Sequence, residues 1–388
     1  MDIDDVNMDE YGLEAQVDRE LFSRVVDLLQ KLRADDDSQE TLARLAGTMK
    51  ELEQFQGAHP ESVPALRLLA ECAQLLDDLS RARIFIDQAE LLDPWNLEIL
   101  IISESIYEAE ADSSKCRPGQ PLRVHSNLDS EVVNVEKLVE KAMGSFRLGD
   151  FERAYTLAKL AYSIYPENEH HLLDILAVGS GFDPERTRRE LVLLEDEDPQ
   201  PAFLYLALGS VSNVLGLHEQ ATAWLAKGIS LSPEDPYVQA MLYNEMAYVM
   251  ARQEIRFDQC IALARQALAV FPERHANGFI RDTLGVVYLK SGDIEKALRN
   301  LREAVSKDPT VIPRFHLALA LLIDKDPANA LGELKLVASA SASLESPHVE
   351  ETAILTRVQS HIGRLEDLLN LGGANDIRDA LEILDGLV

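Results

Sequence analysis

A chain of 388 residues with 67 acidic against 37 basic side chains carries a formal charge of −30, a field that repels nucleic-acid phosphates and anionic lipid surfaces. Apolar residues make up 46% of it. No stretch approaches the roughly 18 consecutive apolar residues of a membrane span, so neither nucleic-acid binding nor membrane insertion is expected. Three cysteines, Cys72, Cys116 and Cys260, are too far apart and odd in number for a disulfide framework or a paired metal site.

In chain order, Asp2, Asp4, Asp5, Asp9 and Glu10 with no basic residue among Met1–Glu10 are the opposite of a secretory or transit signal. Residues 1–15 are expected to form an acidic disordered tail, and the protein to be cytoplasmic. Asp18 to Phe55 reads as helical, with Asp37 or Ser38 capping a helix that starts at Gln39. From Val63 comes a pattern of Leu66, Leu69, Ala70, Ala73, Ala82, Ile86, Ala89 and Pro94, with Asp77-Asp78 at a turn, and residues 16–110 form an N-terminal subarray.

Over 111–130, Pro, Gly and Ser displace the helical pattern, so this stretch is a loop or hinge. Cys116 lies in it between Lys115 and Arg117, which could lower its thiol pKa. The simpler reading is an exposed cysteine without special role.

A main array follows over 131–345. Val135 to Asn168 carries Leu138, Ala142, Gly149-Asp150, Ala154, Ala158, Ala161 and Pro166, with Lys141 and Ser145 where larger apolar residues are expected. The unit at about 168–199 has the right length but lacks the small-residue pairs and is degenerate. Ala202 to Asp235 shows Tyr205, Leu208, Gly209, Ala221, Leu225, Gly228 and Pro233. Pro236 to Pro272 is a stretched copy with Tyr243, Met246, Ala247, Cys260, Ala264 and Ala267, needing about one to two extra residues in the turn near Arg256-Phe257-Asp258.

The clearest copy holds Asp282-Thr283-Leu284-Gly285-Val286-Val287-Tyr288, then Ala297, Leu301, Ala304 and Pro309. Pro313 to about Ala342 is a slightly short copy with Phe315, Ala318, Leu322, Ala330, Leu334 and Val337. Residues 346–388 read as C-terminal capping helices, and the cap-like pattern over Asp376 to Leu387 suits a natural end. Proline recurs in step: 34 residues from Pro60 to Pro94, 33 from Pro166 to Pro199, 34 to Pro233, 39 to Pro272 and 37 to Pro309.

The spacing has a physical cause. Gly285 and Ala297 fall where two helices cross, and only a very small side chain lets backbones approach so closely. Leu284, Tyr288, Leu301 and Val305 fill the layer toward the next pair. Gly292 can take a positive φ, Asp293 can cap the following helix, and Pro309 stops it.

Small residues, Leu-Gly, Tyr, Ala and Pro laid over a helix-turn-helix of about 34 residues resemble the tetratricopeptide repeat. The resemblance implies an all-α, right-handed α-solenoid of stacked helix-turn-helix units in which each repeat touches only its neighbours. It also implies that the first helix of each repeat lines a concave groove that binds a protein or peptide. Carried over position by position, the groove consists of Phe203, Leu206, Asn213, Met241, Asn244, Tyr248, Arg252, Phe279, Asp282, Lys290 and His316. Ser210, Val214, Ala251, Val286 and Leu289 stand at the remaining groove places. A cationic clamp for a partner's C-terminal carboxylate finds only Asn244, Arg252 and Lys290 suitable and is not expected.

A nucleophile with base and orienting group, or a glycine cradle for phosphate, does not appear. His170-His171 with Asp174 lack a second ligand pair and read as surface or capping residues. Asp35-Asp36-Asp37 lacks the alternating spacing of a calcium loop. The expected function is a non-catalytic interaction scaffold or adaptor that needs no cofactor and favours basic or apolar partners. The alternatives are the substrate-recruiting region of a larger modifying enzyme, such as a glycosyltransferase, and a homo-oligomerising structural scaffold.

Overall fold

The computed structural model describes residues 16–33, 39–113, 135–166, 168, 170–196, 201–231, 233–271, 277–341, 358 and 362, and these form seventeen α-helices, one 3-10 turn and no strand. The acidic tail 1–15, the Asp35–Asp37 run, Cys116 with most of the 111–130 loop, and nearly all of 346–388 lie outside the described residues. Two compact units divide the chain: Met1–Ser145 with Glu152–His171, and Phe146–Phe151 with Leu172–Val388.

The first unit holds α1 (Gln16–Arg33), α2 (Gln39–Ala58), α3 (Val63–Leu75), α4 (Leu79–Leu92), α5 (Leu97–Ser113), most of α6 (Val135–Arg147) and α7 (Phe151–Ile164). Its core draws Phe22, Val25, Leu45, Leu52, Leu66, Leu69, Ile86 and Ile99 from α1 to α5. The helix α5 runs three residues past the expected start of the 111–130 break. The helices α6 and α7 follow one another where a pair is expected from Val135, and α7 packs back on α4 and α5. Arg153 near its start bonds Glu104 of α5 at 2.7 Å, and Lys159 bonds Glu90 of α4 at 2.6 Å. Ser163 at its end donates to the Trp95 carbonyl at 3.5 Å. These contacts run α7 antiparallel to α5, in the place of the second helix of a pair that α5 opens.

The second unit begins with α8 (His171–Phe182) and α9 (Pro184–Leu193), the pair expected to be degenerate. A single residue, Asp183, joins them; its side chain accepts from the Arg186 N–H and Pro184 starts α9. Four further pairs follow: α10 (Ala202–Val214) with α11 (His218–Ser230), α12 (Pro236–Arg252) with α13 (Phe257–Val270), α14 (Gly278–Lys290) with α15 (Ile294–Lys307), and α16 (Val311–Ile323) with α17 (Pro327–Ser341). Partners within a pair touch, and α10, α12, α14 and α16 stand side by side.

Small side chains set the close approach inside each pair. A Cβ on Gly209 would lie 2.5 Å from Leu225 Cγ, and one on Gly285 would lie 2.5 Å from Leu301 Cγ. The residue that fills the space over Gly285 is thus Leu301, one turn beyond Ala297, which is itself fully buried. Gly228 plays the same part between pairs, where a Cβ would meet Leu242 Cδ2 at 2.8 Å and Tyr205 Cβ at 3.0 Å.

Turns repeat as faithfully. Asp77, Gly149, Gly216, Glu254, Gly292 and Lys325 each take a positive φ, two residues after the first helix of a pair ends. The next N–H then bonds a carbonyl five residues back, as in Asp293 to Tyr288 at 2.9 Å and Leu217 to Ser212 at 2.8 Å, satisfying a helix end.

Of two expected irregularities, the first holds in part and the second does not. Ala247 aligns with Gly209 and Gly285 at equal steps, so the extra turn of the 17-residue α12 lies at its start, where Asp235 and Pro236 begin the helix early. Only one added residue enters the following turn, which spans 253–256 against 215–217 and 291–293. The last copy is not short: α16 and α17 have 13 and 15 residues, and Val311 rather than Pro313 opens the unit. Val358 joins the core below it with Phe315, Leu319, Leu334 and Val337.

Candidate functional site

The shared register of α10, α12, α14 and α16 fixes which side chains form columns across the second unit. With Gly209, Ala247, Gly285 and Ala318 level, Leu206, Asn244, Asp282 and Phe315 make one column and Val214, Arg252, Lys290 and Ile323 make the edge at the helix ends.

Placed on this frame, the expected groove residues separate into layers. Phe203 and Leu206 are buried, as is Asp282. Met241 and Tyr248 are half-buried, Lys290 is half-buried as a residue although its side chain is covered, and Arg252 is exposed. Phe279 is half-buried, with its ring edge-to-face on Phe271 at 5.4 Å, in a satellite cluster with Ile280 and Tyr237. Asn213 and Asn244 keep only 6% and 7% of their surface, and the Oδ1 of each is buried with no hydrogen-bond partner.

Bonds between neighbouring first helices tie part of this wall together. Asn213 donates through Nδ2 to Glu245 Oε1 at 3.4 Å. His316 Nδ1 meets Asp282 Oδ2 at 2.8 Å and Oδ1 at 3.0 Å, from α16 to α14. Two amide oxygens lacking partners, the half-exposed Tyr248 ring and the half-buried Met241 therefore occupy adjacent helices. An unmet acceptor inside a protein is expensive, about 1 to 3 kcal/mol, and an incoming N–H would relieve it once the amide turns outward, because each oxygen is itself shielded from solvent.

Charge gathers at the edge where the first helices end. The Lys290 side chain is 6% exposed, and its ammonium faces Glu254 at 3.7 Å, whose side chain is 70% exposed. Burial lowers the Lys290 pKa, the Glu254 carboxylate works against that, and Arg252 lowers it further. His218 also titrates below its ordinary value, first from burial and then from the nearby Arg252. The Arg252 guanidinium lies 6.0 Å over the Tyr248 ring and pairs with no acid among the described residues. Sequence reasoning named Arg252 and Lys290 but missed Glu245, His218 and Glu254. Glu254 carries a legible signal, since it stands in the column where Gly216 and Gly292 make the turn.

Among the described residues no three His, Cys, Asp or Glu side chains cluster as metal ligands, and no helix is long and apolar enough to cross a membrane. His171 is buried and its Nε2 lies 3.1 Å from Asn168 Nδ2, a capping contact. Cys72 and Cys260 are fully buried, and burial pushes both thiols up, that of Cys260 to about 11, away from the reactive thiolate.

A tetratricopeptide-repeat family model matches residues 283–343, from within α14 to just past the end of α17. No curated protein compared with the chain matches it. Solved structures to which it is similar include a thermophilic tetratricopeptide-repeat protein of Thermus thermophilus, 22% identical over 49% of this chain and 100% of that one, with a TM-score of 0.40. Another is the Cut9–Hcn1 hetero-tetramer of the APC/C, 16% identical over 87% of this chain and 62% of that one, TM-score 0.44. A tetratricopeptide-repeat protein from Parabacteroides merdae is 14% identical over 78% of this chain and 99% of that one, TM-score 0.36. The matched segment lies on the α14–α17 pairs, so the chain carries tetratricopeptide repeats there, and small residues recur in a like pattern from Ala70 to Ala330.

Proposed function

We propose that this protein is a non-catalytic scaffold that holds a segment of another protein along the first helices of its second unit. The observation that carries this reading is the pair of buried, unpartnered amide oxygens on α10 and α12, Asn213 Oδ1 and Asn244 Oδ1. A peptide backbone supplies N–H donors at regular intervals, whereas a rigid apolar partner would leave both acceptors unmet. Tyr248 and Met241 give the segment apolar footing beside them, and Arg252 and Lys290 border it. Phe203, Leu206 and Phe279 serve packing in this reading rather than contact. The acidic charge of the whole chain and the lack of a membrane-crossing helix among the described residues suit a cytoplasmic adaptor.

The test is an Asn213→Ala, Asn244→Ala double variant. A partner captured from the source cell is identified by mass spectrometry, its bound segment is synthesised, and its affinity is measured with purified wild type and variant. Affinity should fall about tenfold or more, since two charge-neutral hydrogen bonds contribute roughly 0.5 to 1.5 kcal/mol each. Melting should hold or rise, because the substitutions remove buried polar atoms that the folded chain leaves unmet. Equal affinity of the two proteins would remove this wall as the binding site.

A further inference from the structure

Charge is unevenly spread along the chain, and the exception to its acidity has a definite place in the fold. Residues 256–341 hold 12 basic and 10 acidic side chains, whereas the rest of the chain holds 25 and 57. The cations gather on second helices. Along α13, α15 and α17 the exposed charges are Arg265, Lys296, Arg299, Arg302, Lys307 and Lys335, against Asp258 and Glu295 alone. Both acids stand in first turns, where they suit the helix dipole.

Register turns three of these cations into a column. Ala264, Leu301 and Leu334 occupy equivalent buried places in successive pairs, and Arg265, Arg302 and Lys335 each follow one residue later. All three therefore stand on the same side of their helices. In α11 the equivalent place is Ala226, so the column starts at α13. Arg265 is held there by donating through Nη2 to Tyr288 Oη at 2.8 Å, and Arg299 stands one turn before Arg302 on the same face of α15.

The acids beside the column are engaged elsewhere. Glu303 pairs with Arg281, and Glu333 pairs with Arg314 at 2.7 Å, both arginines belonging to first helices. Arg299 and Arg302 form no ion pair among the described residues. Exposed charges that merely keep a surface soluble are interspersed in sign, whereas cations repeated at one register across three helices repel one another.

We propose that the outer side of α13, α15 and α17 is a second docking face, which takes an acidic segment of a partner protein laid across Arg265, Arg302 and Lys335. The first-helix wall has no part in it, so the inference goes beyond the scaffold reading. The expectation of basic or apolar partners follows from the charge of the whole chain, and this face departs from it. A nucleic-acid duplex would overrun the column into acidic surroundings, and a second copy would bring a further charge of −30. A short segment meets the column alone.

Two capped, labelled peptides of equal length, one alternating glutamate with serine and one glutamine with serine, are titrated with the full chain, and fluorescence anisotropy reads their affinities. At low ionic strength the glutamate peptide should bind about tenfold more tightly, because several exposed pairs together supply what one cannot, and the margin should shrink at physiological salt. Arg299→Glu with Arg302→Glu should abolish the preference. Arg299→Gln with Arg302→Gln, which adds no acid beside Glu303, should show the same loss in milder form. Arg44→Glu with Lys50→Glu, an equal change of charge at exposed positions of α2, should leave the preference intact. Equal affinities for the two peptides, or equal losses in the α2 and α15 variants, overturn the face. Loss of glutamate-peptide binding in the Asn213→Ala, Asn244→Ala protein would place the peptide on the wall and overturn it too, whereas unchanged binding there supports a separate face. A dimer in sedimentation velocity that disappears in the α15 variants, or a DNA duplex bound in place of the glutamate peptide, would give the face another occupant and overturn the proposal.

Discussion

The two units hold their helices together by different means. In the second, α14 and α15 meet through absence: Gly285 has no side chain and Leu301 fills the space, as Leu225 does over Gly209. In the first, α7 is fastened to α4 and α5 by charge. Lys159, fully buried, bonds Glu90 at 2.6 Å with the Tyr155 ring 5.1 Å from its ammonium, and Arg153 reaches Glu104 by two hydrogen bonds of 2.7 and 3.1 Å. Arg83 lies over the Tyr107 ring at 3.5 Å and bonds Glu110 at 2.8 Å. Glycine in a groove fits only helices that are adjacent in sequence and joined by a short turn of fixed geometry. A helix that returns after a long connection can arrive in several registers, and buried charge pairs reject all but one, because a shifted register strands a charge in the interior.

The sharpest way to break that contrast is Lys159→Met. It leaves the Glu90 carboxylate buried without its ammonium and should destabilise the protein by about 3 to 5 kcal/mol. Adding Glu90→Leu should recover most of the loss if register selection, rather than net attraction, is what the pair supplies. Urea unfolding of the four proteins of this double-mutant cycle measures it, and a double variant no better than Lys159→Met would contradict the interpretation.

The glycine half is tested by sign. Gly285→Ala gains about 1 kcal/mol of helix propensity but places a Cβ 2.5 Å from Leu301 Cγ, and overpacking of about 1 to 3 kcal/mol should outweigh the gain. On α17, Gly332 has nothing within 4 Å of such a Cβ, so Gly332→Ala should stabilise by about 0.4 to 1 kcal/mol. Thermal melts of the two variants should therefore move in opposite directions. Shifts of the same sign would mean that Gly285 does not mark the crossing.

The same contrast explains what could be read from residues alone. Gly209, Gly285, Ala70 and Ala318 announce their helix crossings because a crossing constrains two positions at a fixed sequence distance. The positive-φ column was equally legible at Gly292, where glycine and a capping Asp293 follow each other. The return of α7 to α4 was not, since residues 114–134 intervene and nothing in Lys159 or Glu90 records which helix the other will meet. The wall was legible in part. The spacing expected Asn213, Asn244, Phe203 and Leu206 to face a groove, but all four are buried. A helix face that borders both neighbour and solvent differs from a core face by a rotation of one position. His218 and Glu254 lie outside the first helices altogether, so spacing along those helices could not find them.

The smallest expected effect concerns that edge and asks whether Arg252 truly acts on His218. Burial is the larger cause of the depressed His218 pKa and the Arg252 charge the second, so Arg252→Gln should raise the titration midpoint without returning it fully to the ordinary value of about 6.5. The midpoint is read from imidazole proton shifts in NMR spectra. The sign of the stability effect follows. A histidine whose folded pKa lies below its unfolded one binds its proton first in the unfolded chain. Its neutral form therefore favours folding above about 6.5, and that contribution is lost as pH falls through the window down to the folded value. In Arg252→Gln the window should narrow, and with it the acid sensitivity of melting. A midpoint unchanged by the substitution would place Arg252 too far away to act on His218, and burial alone would then account for the depressed pKa.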